Sequence, residues 1–446
     1  MKRLLSKISL ALVLGAFTSP LALAQDTLLL NFQEAVSMAL AKNLDYRILE
    51  NNQEILKKDA QFAIASHLPT ANFSSSFMRQ TGQQFQQIEG EIVVTKETNQ
   101  IVSPGFTLNM PVFNSGRRIL DTQSALLAQK AGEKGLDRAK QQIVFDVARR
   151  YMQVLLDQEL LRISEENLEN QQQQLVQIEG FVDAGLRTMS DLYNQQAEVA
   201  REESLVLDAG LALENDRWLL SEYLQLELGK MPVLEAVDVS DFANELDQFT
   251  LAQLYDLAKG SRPDLQQQSL LVDSYQKDFK AMKAMMFPRL NAFYNYGTFY
   301  TSLDNRAIKT QLLDIYPQNT LGLTLAIPIL NGLQSRVDVA RTKMAFYNQE
   351  LRKEAIDRKV YQEVKLAHQT YQVALQKAAN AEVRVNAAKE AQLAVAERFR
   401  LGLSNFVDLA TANQTLVNAQ ADQAQAAYTL YFQEILMKYA LGTLEF

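Results

Sequence analysis

The chain has 446 residues, and its hydrophobic share of 47% is enough for a large core or for more than one ordinary domain. Its formal net charge of -8 argues against nucleic acid or anionic lipid as a partner, and the absence of cysteine excludes disulfides and a lipid-bearing N-terminal cysteine. With only 9 prolines and 17 glycines, the sequence predicts long uninterrupted elements, mostly helices.

Residues 1–24 have the pattern of a secretory signal peptide. Three basic residues precede an apolar run at 8–17, and Ala22-Leu23-Ala24 matches an A-x-A cleavage site. The alternative is an uncleaved anchor helix, but the apolar run is short for a membrane span. Cleavage would change the net charge from -8 to -11 and leave an exported chain. No later apolar run reaches the roughly 18 residues of a transmembrane helix, so any membrane contact is expected from strands.

Four sequence landmarks recur in the same order at a spacing of 217 to 219 residues. The matched pairs are Pro69 and Pro288, Pro111 and Pro328, Gly185 and Gly402, and Asn43-Leu44-Asp45 and Arg262-Pro263-Asp264. This fixed spacing predicts two tandem copies of one structural unit. The first copy is expected at 25–230 and the second at 251–446, with a connecting segment at 231–250.

Each copy opens with a predicted helical stretch, at about 31–66 in the first copy and 251–286 in the second. The stretch should end before Pro69 or Pro288, because the residue before a proline is pushed out of the helical region. A β-hairpin with a polar loop is expected next, at about 70–110 and 289–327.

In these hairpins the hydrophobic period changes from 3.6 to 2, which is typical of strands with one apolar face. The alternating apolar residues are Val102, Phe106, Leu108 and Met110 before Pro111, and Leu321, Leu323, Leu325 and Ile327 before Pro328. The segments after Pro69 and Pro288 alternate similarly, so four strands are predicted per chain.

A helical hairpin is predicted to complete each copy, at about 115–228 and 333–440. The first helix of each hairpin has about 66 residues without proline, and at 1.5 Å per residue it would be roughly 100 Å long. In the first copy, apolar residues spaced by sevens predict coiled packing; they are Val147, Val154, Leu161, Leu168 and Leu175.

The turn of each helical hairpin is expected at a glycine, Gly185 or Gly402, because glycine suits the left-handed position that ends a helix. Candidate N-caps of the return helices are Ser190 or Asp191, and Ser404.

Strands with an apolar and a small polar face are typical of an outer-membrane barrel, although a soluble sheet packed on the chain's own helices would show the same alternation. Strands in lipid must close into a ring, and four are fewer than the roughly eight of the smallest barrels. A membrane location therefore requires a homo-oligomer. Two copies would supply eight strands and three would supply twelve.

Several stretches resemble the TolC-like outer membrane efflux protein family over nearly the whole mature chain. They are ALAKNLD and AKGSRPDL near the start of each half, the strand-Pro-Asn junctions, the turns AGLRTMSDL and LGLSNFVDL, the segment YLQLELG, and ALGTL at 440–444. Their duplicated order is specific, although each motif is weak on its own.

The resemblance implies a mainly α fold with a small β part. A homotrimer would form one twelve-stranded outer-membrane β-barrel, continued by a periplasmic α-helical barrel. It also implies a passive exit duct of a tripartite efflux or secretion system. The implied partners are a periplasmic adaptor protein, an inner-membrane transporter and outer-membrane lipid. The four prolines Pro69, Pro111, Pro288 and Pro328 would mark the helix–strand junctions.

In the family, the turns of the helical hairpins form the closed periplasmic tip where adaptors dock. The corresponding residues here are Ala184, Gly185 and Leu186 in the first turn and Leu401, Gly402 and Leu403 in the second.

The acidic position that resembles the lining of the constriction is Asp408, and its repeat mate is Asp191. Three symmetric carboxylates would form a cation-attracting neck, but Asp408 could equally cap a helix N-terminus. Thr411 and Ser404 depart from the family where a second acidic residue and a basic gate residue would be expected.

No catalytic residue, cofactor or metal site is predicted. The sequence has no Gly-rich phosphate loop and no G-x-S-x-G element, and its two histidines, His67 and His368, are far apart in sequence. Two other functions fit the patterns: protein secretion through the same fold, and a soluble periplasmic coiled-coil scaffold or adaptor.

Overall fold

The computed structural model describes residues 28–88, 90–95, 98–227, 229–237 and 248–445. The predicted signal peptide, 1–24, lies outside these residues, as does part of the expected connecting segment. Among the helices in these ranges, none carries an apolar stretch of the length needed to cross a membrane.

The described elements repeat one order twice, namely two short helices, a hairpin of long strands, a long helix and a return helix, while the loops and connections between them differ. The first series is β1 (Leu28–Leu30), α1 (Phe32–Lys42), α2 (Leu44–Ala65), β2 (Thr70–Thr81), β3 (Gln84–Ile88), β4 (Glu91–Thr95), β5 (Thr98–Phe113), α3 (Arg117–Asp183), α4 (Met189–Tyr223) and β6 (Pro232–Leu234). The second is α5 (Leu251–Ser261), α6 (Pro263–Ala284), β7 (Arg289–Gly297), β8 (Tyr300–Thr301), α7 (Ile308–Thr310), a π-helical turn (Gln311–Ile315), β9 (Gln318–Ala326), α8 (Gln334–Arg400) and α9 (Phe406–Leu441). The duplicated, mainly α fold with a small β part is confirmed.

The predicted opening helical stretch of each copy consists of two helices, with a break between them that the sequence patterns did not locate. In the first copy Asn43 has extended backbone angles and accepts a hydrogen bond from the Tyr46 amide, so it ends α1 and caps α2. In the second copy Arg262 is extended because Pro263 follows it. The restriction that ends a helix before Pro69 therefore also applies at Pro263.

The four long strands form one antiparallel sheet in the order β2-β5-β7-β9, with β8 paired to β5. Both predicted hairpins are present, and β5 pairs with β7 to join them. In the described part of the chain, β2 and β9 are the sheet's edge strands, and each has one side without a partner strand. The sheet is therefore open within a single chain.

The strand register separates two faces, because residues directly opposite each other point to the same side of a sheet. One row across the sheet is Ala71, Leu108, Tyr294 and Leu321, and the next row on the opposite face is Asn72, Thr107, Asn295 and Thr320. Leu321 and Leu323 are 80% and 67% exposed, so the chain's own helices do not cover the apolar face. The alternative of a soluble sheet packed on those helices is wrong.

The predicted polar loops contain further structure. In the first copy β3 and β4 form a second, short antiparallel hairpin beyond β2 and β5. In the second copy the loop folds back on itself, and Gln311 is completely buried where it donates to the carbonyl oxygens of Asp304 and Arg306.

The two long helices have 67 residues each, so each is about 100 Å long. Near the sheet, small residues of α3 let α2 and α6 approach closely. The Ser124 and Ser274 hydroxyls are 2.8 Å apart, and a Cβ on Gly132 would lie only 2.0 Å from Gln53 Oε1. Farther from the sheet, α4 pairs with α3 and α9 pairs with α8.

The largest apolar cluster surrounds the middle of α3, where the parallel strands β1 and β6 pack against it. Val147 and Val154 are fully buried, as the heptad spacing predicts. Farther along the helix the buried positions shift to Ile163, Asn167, Gln171 and Ile178, and the remaining heptad leucines are only half-buried. The coiled pattern therefore describes only part of the helix within one chain.

A buried arginine connects three helices of the second copy. Arg262 is 2% exposed and donates to both carboxylate oxygens of Asp264 (2.9 and 2.5 Å), to Glu363 (2.6 Å) and to the carbonyl of Ala440 (3.1 Å). These bonds connect the start of α6 with α8 and with the C-terminal end of α9.

Candidate functional site at the hairpin tips

The two helical hairpins turn with nearly the same backbone geometry. Gly185 and Gly402 have φ angles of 72° and 76°, in the left-handed region that favours glycine. The Leu186 amide donates to the Phe181 carbonyl and the Leu403 amide to the Arg398 carbonyl, each at 2.8 Å. These bonds satisfy carbonyl groups that the ending helix leaves free.

The turn residues named from the sequence lie on the surface of the chain. Ala184, Gly185 and Gly402 are exposed, and Leu186, Leu401 and Leu403 are 71%, 58% and 68% exposed. Large apolar side chains are therefore concentrated at this end of the hairpins, since Met189, Tyr193 and Val407 just beyond the turns are also exposed, by 49%, 61% and 67%.

The N-caps of the return helices are Thr188 and Asn405, which corrects the prediction of Ser190 or Asp191 and Ser404. Asp191 lies three residues after Thr188 and accepts from its amide (3.2 Å) and hydroxyl (2.9 Å), as the second member of a capping box.

Asp408 occupies the same position in the second hairpin but is held differently. Asn405 caps the helix by accepting from the Asp408 amide at 2.9 Å, so the carboxylate of Asp408 is not the cap. It is exposed and accepts one hydrogen bond, from the Ser404 hydroxyl at 3.0 Å. The structure thus leaves Asp408 accessible at the tip, while Asp191 is engaged in its own turn.

A basic residue of the first turn, which the sequence patterns do not single out, links the two tips. Arg187 of the first turn donates to the carbonyl of Phe399 in α8, and its guanidinium lies 3.9 Å from the centroid of the Phe399 ring. Arg187 is the repeat mate of Ser404, the position where a basic residue was expected. Aligning the two copies would have located it in the first turn.

Apolar side chains also join the two hairpins at this end. Ile178 of α3, Phe399 of α8 and Leu409 of α9 are buried together, with Val182 and Phe406 packed against them. The Arg187 guanidinium, stacked on Phe399, therefore covers one side of this small apolar cluster, to which both hairpins contribute.

Above this apolar cluster the hairpins are separated by a cavity of about 340 Å³, whose walls carry many amide side chains together with apolar ones and the charged Glu166 and Arg400. Asn413 of α9 donates to Gln174 of α3 (3.1 Å) and accepts from Gln392 of α8 (2.9 Å). Contact between the hairpins is thus polar and uncharged at this level, whereas Arg201 of α4 reaches Gln414 of α9 at 2.7 Å nearby.

The four junction prolines lie at the other end of the long helices. Pro69 and Pro288 separate helices from strands, and Pro328 follows the end of β9. Pro111 does not end β5, which continues to Phe113 across an irregularity in its pairing. The Ser115 hydroxyl donates to the Pro288 carbonyl at 2.9 Å and so brings two junctions together.

Within the described ranges, no group of three or more His, Cys, Asp or Glu side chains is arranged to hold a metal ion.

Comparison with known proteins gives one family. The model of the family described as "Outer membrane efflux protein" matches residues 35–224 and 254–443. Outer membrane protein TolC from Salmonella enteritidis is 24% identical over 311 residues, and TolC from Escherichia coli strain K12 is 25% identical over 314 residues. Each match covers 68% of this chain and 62% of the relative, so the chain spans less than two thirds of these proteins.

The fold is similar to that of a solved transmembrane channel. A crystal structure of CusC superposes with a TM-score of 0.79 at 18% sequence identity, over 92% of both chains.

Proposed function

The chain belongs to the outer membrane efflux protein family, and we propose that it is the outer-membrane exit duct of a tripartite efflux system. It conducts substrates passively, without catalysis, from a periplasmic adaptor and an inner-membrane transporter to the exterior. The sheet lies in the outer membrane and the helical part extends into the periplasm.

The open, two-faced sheet is the observation that carries this proposal. Its edge strands β2 and β9 each have one side without a partner in the described residues, and its apolar face is exposed. An open edge is not tolerated in hydrocarbon, so copies of the chain must pair edge to edge. Three copies close a ring of twelve strands, with the polar rows facing a lumen wide enough to continue the helical tunnel.

The hairpin tips are the proposed periplasmic gate and docking surface. Asp408 of each subunit faces the axis and forms a ring of carboxylates. The bond between Arg187 and Phe399 holds the two hairpins of a subunit together while the tip is closed. The exposed leucines of both turns receive the adaptor. Breaking the Arg187 contact lets one hairpin move against the other across the cavity between them.

Purification followed by planar-bilayer recording tests the proposal. The protein should be extracted from the outer-membrane fraction only with detergent, migrate as a heat-modifiable trimer, and form low-conductance, cation-selective pores. A protein that extracts without detergent as a monomer or dimer would instead be a periplasmic scaffold or adaptor.

The exported substrate separates the two duct functions. Deletion of the gene should sensitise cells to small toxic compounds if the duct serves efflux. Loss of a secreted protein from the medium, without such sensitisation, would favour type I protein secretion.

A further inference from the structure

The polar face of the sheet is uncharged along its whole height except at one residue. Apart from that residue, the side chains on this face of the four strands are Thr70, Asn72, Ser74, Ser76, Met78, Gln80, Asn99, Ile101, Ser103, Gly105, Thr107, Asn109, Pro111, Asn291, Phe293, Asn295, Gly297, Gln318, Thr320, Gly322, Thr324 and Ala326. The exception is Arg289, which begins β7 opposite Ala326.

The register fixes the direction of Arg289. Leu290 and its partner Leu325 belong to the apolar face, so Arg289 points to the same side as Asn291 and Thr324. Its side chain is exposed, and within the described residues it makes no hydrogen bond or ion pair. The preceding Pro288 carbonyl is fixed by the Ser115 hydroxyl, so the position of this free cation is defined by the fold.

Positively charged side chains are concentrated around Arg289, at the junction between the sheet and the long helices. The long helices α3 and α8 both begin there, and neither has an acidic residue in its first turn, where a carboxylate would stabilise the helix. Arg117, Arg118 and Arg336 occupy those turns instead. Asp121 offsets Arg117 at 3.3 Å. Helix N-termini carry partial positive charge themselves, so the arginines are placed against the local preference.

We propose that this junction is an anion-attracting collar, formed by Arg117, Arg118, Arg289 and Arg336, with Arg289 as the member that faces the lumen. The collar rests on the proposed trimeric duct, in which three copies of Arg289 ring the base of the barrel. Polyvalent anionic solutes are the class it draws from the helical tunnel into the neutral barrel. A charged ring in a water-filled passage raises the local concentration of the opposite charge.

Planar-bilayer recording of the full-length protein tests the collar, with Arg289→Ala, Arg289→Lys and Arg79→Ala as variants. Arg79 is a matched control because it is an exposed arginine of the same sheet. It lies opposite Gln100, on the face of Phe77, and so points away from the lumen.

In a gradient of about 0.1 M KCl, Arg289→Ala should raise the potassium-to-chloride permeability ratio roughly threefold or more. It should also abolish current block by hexacyanoferrate(III) added on the barrel side. Arg289→Lys and Arg79→Ala should behave as the parent. The difference should shrink near 1 M KCl, where the screening length is only about 3 Å.

Each other outcome overturns a specific statement. Trimeric pores whose selectivity and anion block are the same in Arg289→Ala and the parent would remove the collar and leave the duct intact. An equal effect of Arg79→Ala would assign the change to general surface charge. Failure of the parent to form pores would overturn the proposed function and the collar with it.

Discussion

The ring of Phe293 on β7 lies directly against Gly322 on β9. The two residues are cross-strand partners, and a Cβ built on Gly322 would lie 2.5 Å from Cζ of Phe293. No real Cβ contact is that short, so the aromatic ring occupies the space that the missing side chain leaves. A glycine in the middle of the strand that borders the proposed subunit contact is thus explained by packing within the chain.

Gly322→Ala should lower the thermal stability of the proposed trimer, because the ring of Phe293 must leave its position. Overpacking of this kind costs about 1–3 kcal/mol. Loss of trimer against temperature on semi-native gels measures it. Gly297→Ala is the control, since a Cβ there meets nothing within 4 Å. Equal stability of both variants would show that the ring relaxes freely.

Arg187→Ala should increase single-channel conductance, because it removes the contact between the first turn and Phe399 of the second hairpin. Arg162→Ala is a suitable comparison, because the ion pairs of Arg162 in the described part of the chain are with Glu159 and Glu166, both on its own helix. Bilayer recording of the two variants separates loss of an inter-hairpin bond from loss of a charge. Identical conductance in Arg187→Ala and the parent would contradict a latch at this position.

Asp408→Ala should reduce cation selectivity and open the pore, because the exposed carboxylate is removed from the proposed ring. Asp191→Ala should instead lower stability by roughly 0.5–2 kcal/mol, as expected for a damaged helix cap, with little effect on selectivity. Reversal potentials and thermal unfolding distinguish the two. An equal change of selectivity in Asp191→Ala and Asp408→Ala would show that the different hydrogen bonding of the two carboxylates does not affect conduction.

Asp157→Asn should stabilise the α3–α4 hairpin, and more so at alkaline pH. Burial, followed by the neighbouring Asp216 carboxyl, raises the pKa of Asp157 from 3.8 to about 7. Because the folded pKa is above the unfolded one, stability falls as pH rises between these values and stays lower above about 7.

Thermal unfolding at pH 5.5 and 8.5 tests this prediction, with the larger gain of Asp157→Asn expected at pH 8.5. Glu165→Gln is the control, because it removes an exposed carboxylate from the same helix. A gain that is the same at both pH values would mean that Asp157 does not titrate in this range.

Arg262→Ala should be the most destabilising of these changes, by at most about 3–5 kcal/mol, because it removes the buried partner of Asp264 and Glu363. The ion-pair partners that remain among the described residues are Arg138 for Asp264, at 3.8 Å, and Lys359 for Glu363, at 3.6 Å. Denaturant unfolding measures the loss. Arg358→Ala removes a surface arginine that is 75% exposed and pairs with Glu354, and it should cost about 1 kcal/mol or less. Comparable losses of unfolding free energy in the two variants would mean that the Arg262 ion pairs stabilise the protein no more than an exposed ion pair does.

The turn and capping signals of the sequence predict the positions of the two hairpin turns, but not the contacts that join the hairpins. The turns at Gly185 and Gly402 follow from glycine's freedom at positive φ, and both are found there. The caps were misassigned by a few residues, since serine, threonine, asparagine and aspartate compete for the same position and only the backbone path selects among them. The Arg187 contact joins residues 212 positions apart, so no local pattern contains it.

The sequence by itself determined the repeated order of helix, hairpin and long helix, and the two-faced character of the strands. Proline positions and the hydrophobic period restrict the conformation of a few neighbouring residues. They can therefore be recognised without knowing which distant segments pack together. Only the tertiary structure decided which strand is an edge, that Arg289 is the one charge on the polar face, and that Arg187 reaches the second hairpin. Those properties depend on which distant segments lie side by side, and the register between strands is set by packing of the whole sheet rather than by any one strand.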